Sequence, residues 1–287
     1  MKRILLYYPS NKRSVQIETT IHKIKSAGHD VLLLTTCEPG HLHQNLKKEG
    51  VRCFSFHSTS KNLFLYYLEN IIFLIKFCKQ HKIDFIFSNL QHVNFIAVLA
   101  QYFIKGKVIV FRHHFKFNKG HFGIKLEVNK NEQLFDKVIN LLAKQIVVPS
   151  LGVYNGMVKY EKIKLKKLIV IQYLYDFSKY GIPENENVTK IKAKYKARLN
   201  LIMVSRLIPF KRHQVIFPVF QKLIDEGFDL QVLILDEGPE KENLIRFIRQ
   251  NKLTDRIHFL GFKKDFLDYM KASDLIIHPS ITEASNS

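Results

Sequence analysis

Several short stretches late in the chain carry side chains able to hold a negatively charged ligand. They are Val204-Ser-Arg-Leu-Ile-Pro-Phe-Lys211, Asp236-Glu-Gly-Pro239, Phe259-Leu-Gly-Phe262 and Ser273-Asp-Leu-Ile-Ile-His-Pro-Ser280, with Glu283 close behind. Arg206 offers a planar guanidinium that can grip two phosphate oxygens at once, and Lys211 adds a point charge. A glycine turn such as that at Gly238, or a helix N-terminus, can add backbone N–H donors. Earlier, Phe111-Arg-His-His114 places His113 beside Arg112 and a second imidazole, a group that can orient a hydroxyl or act on a proton. His92 also follows an apolar run. The plainer alternative for each is a solvated charge, a tight turn or a structural histidine.

These residues need strands that end where they begin. Arg3–Tyr8, Val31–Thr35, Phe85–Ser88, Lys107–Phe111, Gln145–Pro149 and Leu168–Ile171 are short apolar runs, read as strands. Between them lie helical patterns around 17–27, 63–80, 93–103 and 132–143. Apolar runs without polar alternation, separated by helices, require a parallel sheet covered on both faces. After a stretch poor in apolar residues the rhythm restarts, with strands at Leu199–Ser205, Gln231–Leu235, Ile257–Leu260 and Leu275–His278 and helices at 213–226, 239–251 and 265–272. The expected organisation is α/β: residues 1–180 as one Rossmann-like domain, 181–198 as a linker, and 199–287 as a second domain. A ligand is expected in the cleft between them, and each motif stands at the carboxyl end of an expected strand.

Composition narrows the function classes. The 287 residues include 45 Lys and Arg against 25 Asp and Glu, a net charge of +20, with 46% hydrophobic residues. That excludes disordered and collagen-like chains. Three cysteines without CxxC spacing indicate neither a disulfide framework nor a zinc site, which suits a reducing cytoplasm. The opening Met1-Lys-Arg-Ile-Leu-Leu-Tyr-Tyr reads as a strand rather than a signal peptide, and Glu69, Asn70 and Lys76 interrupt the longest apolar stretch, so a spanning helix is not expected. Residues 1–180 hold 28 Lys and Arg against 11 Asp and Glu, whereas 181–287 hold 17 against 14. Such asymmetry points the first half at a polyanion, either nucleic acid or an anionic membrane leaflet, unless it is only a solvated basic surface.

The ordered series of motifs resembles the retaining glycosyltransferases of family 4, the "group 1" transferases, which have two facing Rossmann-like domains (the GT-B fold). The resemblance covers most of the chain: Gly28-His29-Asp30-Val31 is similar to that family's GHEV turn, and Val147-Val-Pro-Ser150 and Leu168-Ile-Val-Ile171 match strands closing its first domain. It implies that Arg206 and Lys211 clamp the diphosphate of a UDP- or GDP-sugar, whose charge grows as the sugar–oxygen bond breaks. Gly238 belongs to the same donor site, Gly261 and Phe262 receive the base, and Ser280 either touches phosphate or caps a helix. Glu283 matches the first acidic residue of the family's E-x7-E motif and positions the donor sugar, while His113 aligns with a histidine near acceptor and donor sugar.

The chain also departs from the family pattern. Its opening loop, Ser10-Asn-Lys-Arg-Ser-Val15, lacks the usual paired glycines, with Lys12 and Arg13 as substitute charges. Asp236 stands where glycine is usual, bringing a negative charge near the diphosphate. The second glutamate of E-x7-E would fall beyond Ser287, so the second domain is expected to be incomplete and activity reduced, the chain then being a fragment or an inactive remnant.

The resulting expectation is transfer of a hexose-type sugar to a glycan or lipid-linked acceptor with retention, in cell-surface polysaccharide synthesis. No cofactor is expected, and no metal, since no DxD occurs. The enzyme is expected in the cytoplasm, peripheral at the inner face of the plasma membrane. Lys159, Lys162, Lys164, Lys166 and Lys167, with the aromatic 63–82 stretch, would face anionic lipid. A nucleic-acid binder is the rival, without helix-turn-helix or RRM signature to support it, and a nicotinamide dehydrogenase fails because no GxGxxG follows the first strand.

Overall fold

The computed structural model describes residues 1–115, 130–175 and 184–281. Among the described residues, 1–115 and 130–175 form one compact unit and 184–281 a second.

The first unit is a seven-stranded parallel sheet in the order β3-β2-β1-β4-β5-β6-β7. Its strands are β1 (Arg3–Tyr8), β2 (Asp30–Thr35), β3 (Arg52–Ser55), β4 (Phe85–Asn89), β5 (Lys107–Phe111), β6 (Ile146–Val148) and β7 (Leu168–Val170). Helices α1 (Val15–Ser26) and α2 (His41–Lys48) cover part of one face, over β1 and β2, where Ile17, Ile21, Leu42 and Leu46 meet Ile4, Leu6 and Leu33. On the other face α3 (Leu63–Gln80), α4 (Gln91–Ala100), α5 (Lys130–Leu142) and α6 (Leu151–Glu161) pack Leu74, Phe77, Val93, Ile139 and Met157 against Leu5, Tyr7, Ile86 and Val110. Central strands buried on both sides explain the unbroken apolar runs.

Local chemistry sets the helix starts. The hydroxyls of Ser14 and Ser150 and the amide oxygen of Asn62 accept from the first-turn backbones of α1, α6 and α3. Gly28 closes α1 at φ +79°, a conformation that favours glycine.

The second unit has a four-stranded parallel sheet, β10-β9-β8-β11, built from β8 (Leu199–Val204), β9 (Leu230–Leu235), β10 (Ile257–Gly261) and β11 (Leu275–Ile276). Helices α8 (His213–Asp225) and α9 (Lys241–Gln250) cover one face through Phe217, Phe220, Leu244 and Ile248. α7 (Glu186–Lys194) and α10 (Phe266–Ala272) cover the other.

The stretch expected as linker, 181–198, therefore includes a helix belonging to the second unit. Val188, Ile191 and Tyr195 bury themselves against Ile202, Leu233 and Leu235, while the lysines between them face outward. Asn185 and Asn187 donate to Asp268 at 3.0 and 2.7 Å, stitching α7 to α10. Three elements of the first unit, α2, β3 and α6, were not expected from the sequence. Among the described residues, no helix is long and apolar enough to cross a membrane.

Candidate functional site

In both sheets the strand order reverses beside the first strand, between β1 and β4 and between β8 and β11. Open α/β sheets hold ligands outside the carboxyl ends of strands at such points. In the second unit, β8 runs out into Ser205, Arg206 and the 3-10 turn Pro209–Lys211, and then into α8. Arg206 is exposed and Leu207 fully buried, so the turn is anchored at one residue and presents the next.

The anchor is a mutual grip between two loops. Leu207 N–H donates to the Glu237 carbonyl at 3.1 Å, and Glu240 N–H donates to the Leu207 carbonyl at 3.0 Å. Gly238 makes that approach possible, because a Cβ there would lie 2.3 Å from the Leu207 oxygen and 2.7 Å from its carbonyl carbon. Gly261 holds φ +70°, and its carbonyl accepts from Asp236 N–H at 2.9 Å. Gly238 and Gly261 thus act through backbone packing between adjacent loops. Phe262 stands 70% exposed beside Gly261.

The loop after β11 joins the same edge. Ile281 N–H donates to the Phe210 carbonyl at 3.1 Å, which brings Ser280 beside the Lys211 turn. Ser280 Oγ and His278 Nε2 lie 3.1 Å apart. Arg206, Lys211 and Ser280 are therefore carried by connected backbone, whereas Glu283 lies outside the described residues.

One group here escaped sequence reasoning. His213, the first residue of α8, is buried, with Nε2 3.3 Å from Ser205 Oγ. Burial, and then the nearby Lys211 and His278, push its pKa down to about 4, so it is neutral under the Lys211 turn. Its place immediately after Lys211-Arg212 was the available signal.

Asp236 adopts φ +95°, a conformation suited to the glycine expected there, and its Oδ1 accepts from Glu237 N–H at 2.7 Å. In the opening loop of the first unit, Arg13 is turned onto Glu18 at 2.9 Å, and Asn11 donates to the Glu38 carbonyl at 2.8 Å. Arg13 is thus engaged within its own unit.

The first unit's edge centres on His113. Its Nδ1 lies 2.6 Å from Tyr173 Oη, and burial followed by the neighbouring His114 lowers its pKa to about 4. Burial raises the Tyr173 phenol well above its usual range, so both groups are neutral at pH 7. In the tautomer whose Nδ1 accepts from the phenol, the ring proton is on Nε2 and free to be donated to an oxygen; in the other, Nδ1 donates to the phenol and Nε2 is an acceptor.

Arg112, expected beside it at a ligand-facing edge, instead turns inward. It is 7% exposed and contacts Glu161 and Asn140 at 2.6 Å and Asp136 at 3.2 Å. That cluster ties the His113 turn to α5 and α6. His92 is likewise structural, with Nδ1 2.7 Å from Tyr67 Oη.

A cavity of about 280 Å3 with a mixed lining opens here, with Gln91, Asn94, His113 and Glu132 set beside Leu90, Phe111 and Phe115. Its carboxylates, amides and imidazoles match a ligand rich in hydroxyls. His113 also borders an apolar hollow of about 480 Å3 on the sheet face, walled by Phe85, Phe87, Ile109 and Ile169.

Of the five lysines expected to form a surface patch, Lys167 is engaged within the fold. Its ammonium donates to the Asn140 and Leu141 carbonyls at 2.9 and 2.8 Å, closing the end of α5.

The model for Glycosyltransferase Family 4 matches residues 14–178, and that for Glycosyl transferases group 1 matches residues 184–285. A relative from Campylobacter jejuni, N-acetylgalactosamine-N,N'-diacetylbacillosaminyl-diphospho-undecaprenol 4-alpha-N-acetylgalactosaminyltransferase, is 25% identical over 72% of this chain and 54% of its own length. N-acetyl-alpha-D-glucosaminyl L-malate synthase of Bacillus anthracis is 26% identical over 37% of this chain and 29% of its own. The matches thus span about half or less of these relatives.

Among solved structures, Anabaena HepE in complex with UDP superposes with a TM-score of 0.76 at 18% identity, covering 98% of this chain and 75% of that one. A glycosyltransferase from Rickettsia africae gives 0.76 at 22%, covering 99% and 74%. These likenesses establish the fold, two Rossmann-like units in series of the GT-B class. Since the Family 4 model covers more than half of the sequence and the group 1 model covers the unit bearing Arg206 and Lys211, the chain belongs to the group 1, family 4 glycosyltransferases.

Proposed function

We propose that the protein moves a hexose-type sugar from a UDP- or GDP-sugar to a glycan or lipid-linked acceptor, with retention at the anomeric carbon, in the assembly of cell-surface polysaccharide. The observation that carries the reading is the grip of Gly238 on Leu207, which anchors the turn bearing Arg206 and Lys211 at the switch point of the second sheet. As the sugar–oxygen bond breaks, negative charge accumulates on the departing diphosphate. A forked guanidinium and an ammonium then stabilise the transition state more than the ground state. These cations do the work a metal does elsewhere, so no metal or cofactor is required. Gly261 and Phe262 would receive the base, Ser280 a phosphate oxygen, and Glu283 would position the donor sugar.

The acceptor is assigned to the cavity of the first unit beside His113, a neutral imidazole that would donate from Nε2 to a sugar oxygen when its Nδ1 accepts from Tyr173. Retention follows if the leaving phosphate itself takes the acceptor proton on the same face. The Campylobacter relative, by its name, uses a diphospho-undecaprenol acceptor, which supports a lipid-linked substrate here. On this reading the enzyme works peripherally at the cytoplasmic face of the membrane with its basic half toward anionic lipid and no nucleic-acid partner, which the charge excess of residues 1–180 supports.

The test is a thermal shift series with UDP-sugars, GDP-sugars, NAD and a short oligonucleotide. Stabilisation by one of the sugar nucleotides is expected, and stabilisation by the oligonucleotide alone would overturn the reading.

A further inference from the structure

The inner stripe of α8 holds a residue that packing alone does not explain. Phe217 and Phe220 are buried against the second sheet, and His213 stands one turn before Phe217 on the same stripe, 1% exposed. An aliphatic side chain would fill that place without loss, whereas an imidazole there gives up its water. Its Nδ1 finds no partner among the described residues. The ring's one polar contact is Nε2 to Ser205 Oγ, at 3.3 Å.

Two tautomers are open to a neutral ring. With the proton on Nδ1, a buried N–H is left without an acceptor, which folded proteins rarely tolerate. With the proton on Nε2, only an acceptor is left unpaired, and the N–H donates to Ser205 Oγ. The second arrangement costs less, and it leaves the serine's own proton to be given elsewhere. Among the described residues that hydroxyl has no other partner. Ser205 is half-buried, directly after β8 and directly before the exposed Arg206, where the strand order of the sheet reverses. Across that point β11 pairs with β8, and its continuation sets Ser280 Oγ 3.1 Å from His278 Nε2. Lys211 and His278 are also the charges that act on His213, so both serine–imidazole pairs lie at one edge with the cationic turn.

We propose that Ser205 donates a hydrogen bond to an oxygen of the donor's diphosphate, and that His213 is the positioning residue that aims it. The proposal rests on the reading of Arg206 and Lys211 as the diphosphate clamp. The two cations supply charge, and a hydroxyl fixed from behind supplies direction without reorganising as the charge develops. A phosphate oxygen is the fitting acceptor because Ser205 adjoins those cations in the chain.

Titration calorimetry with UDP and with GDP identifies the nucleotide that the wild-type chain binds. Ser205→Ala should weaken that nucleotide roughly tenfold at an unchanged thermal midpoint. His213→Leu, apolar like the rest of the stripe, should weaken it about five- to tenfold while the midpoint does not fall, because a ring with an unpaired buried nitrogen is removed. His213→Gln, whose amide N–H reaches the Nε2 position, should stay within about twofold of wild type. Once residue 205 is alanine, His213→Leu should change affinity no further. Affinity unaltered by Ser205→Ala, a His213→Leu effect that persists in that background, or His213→Gln as weak as His213→Leu would each overturn the proposal. If neither UDP nor GDP binds the wild-type chain, the transferase reading falls as well; if one binds and Ser205→Ala is without effect, this proposal falls alone.

Discussion

Replacing Gly238 by alanine tests how the second unit holds its cationic turn. The added Cβ would stand 2.3 Å from the Leu207 oxygen and 2.8 Å from the Leu207 nitrogen, both backbone atoms that no rotamer change can move aside. The two loops must separate by about 1 Å to reach ordinary contact, which strains the 3.1 and 3.0 Å bonds between Leu207, Glu237 and Glu240. Overpacking of a tight contact costs about 1–3 kcal/mol, and each weakened buried hydrogen bond about 1 kcal/mol at most. The stiffer unfolded chain offsets about 0.4–1 kcal/mol. A net loss of about 2 kcal/mol is expected, roughly a 10 °C fall in the midpoint of a unit this size. Displacing the Arg206 turn should also weaken UDP binding about tenfold, as a small misplacement does in preorganised sites. Urea denaturation and titration calorimetry with UDP read the two effects. Gly152→Ala is the control, since its Cβ would meet only Ser150 Oγ at 3.7 Å. If Gly238→Ala matched wild type in both midpoint and affinity, the grip would not be what positions the site.

Other substitutions probe separate links. Arg206→Ala should lower UDP affinity about ten- to hundredfold while leaving the ligand-free midpoint unchanged, because the side chain is exposed, and Arg206→Lys should restore only part of it, as calorimetry can show. His213 has a folded pKa near 4 against an ordinary 6.5, so the unfolded chain binds more protons between those values. Stability is therefore full above 6.5 and falls as pH drops toward 4; His213→Gln should flatten urea midpoints across that window, leaving the share due to His113. Arg112→Met strands the Glu161 carboxylate in the interior and should cost about 3–5 kcal/mol, with Arg112→Met/Glu161→Leu recovering much of it in urea melts. Sugar transfer, followed by mass spectrometry, should proceed undiminished in EDTA.

The central strands were readable because they are buried on both faces and so form uninterrupted apolar runs, whereas the edge strand β3, exposed or half-buried throughout, was not. α2 was not, since only Leu42 and Leu46 mark its inner side among polar neighbours. α7 hid behind its lysines, although Val188, Ile191 and Tyr195 stand at the spacing of one helical face. Strand ends put Arg206 and Lys211 just past the carboxyl end of β8, where the structure has them, because that edge is fixed once a strand is recognised. What Gly238 is for depended on Leu207, a residue in another loop. The pairing of His113 with Tyr173 joins positions sixty residues apart and has no local trace. Arg112 misled for the same reason: sequence gives the charge at a strand end but not the buried carboxylate that captures it.

α7 bears on how proteins of this kind can exchange parts. The group 1 match begins at residue 184, directly before the Asn185 cap of α7. The heritable module therefore starts with the helix rather than with β8. A chimera joined at residue 199 would take the strands of one parent and the packing helix of another, setting a foreign Val188, Ile191 and Tyr195 surface against Ile202, Leu233 and Leu235. Crossovers placed ahead of Asn185 keep each core with its own cover, and so let the second unit be traded between first units without recutting either interior.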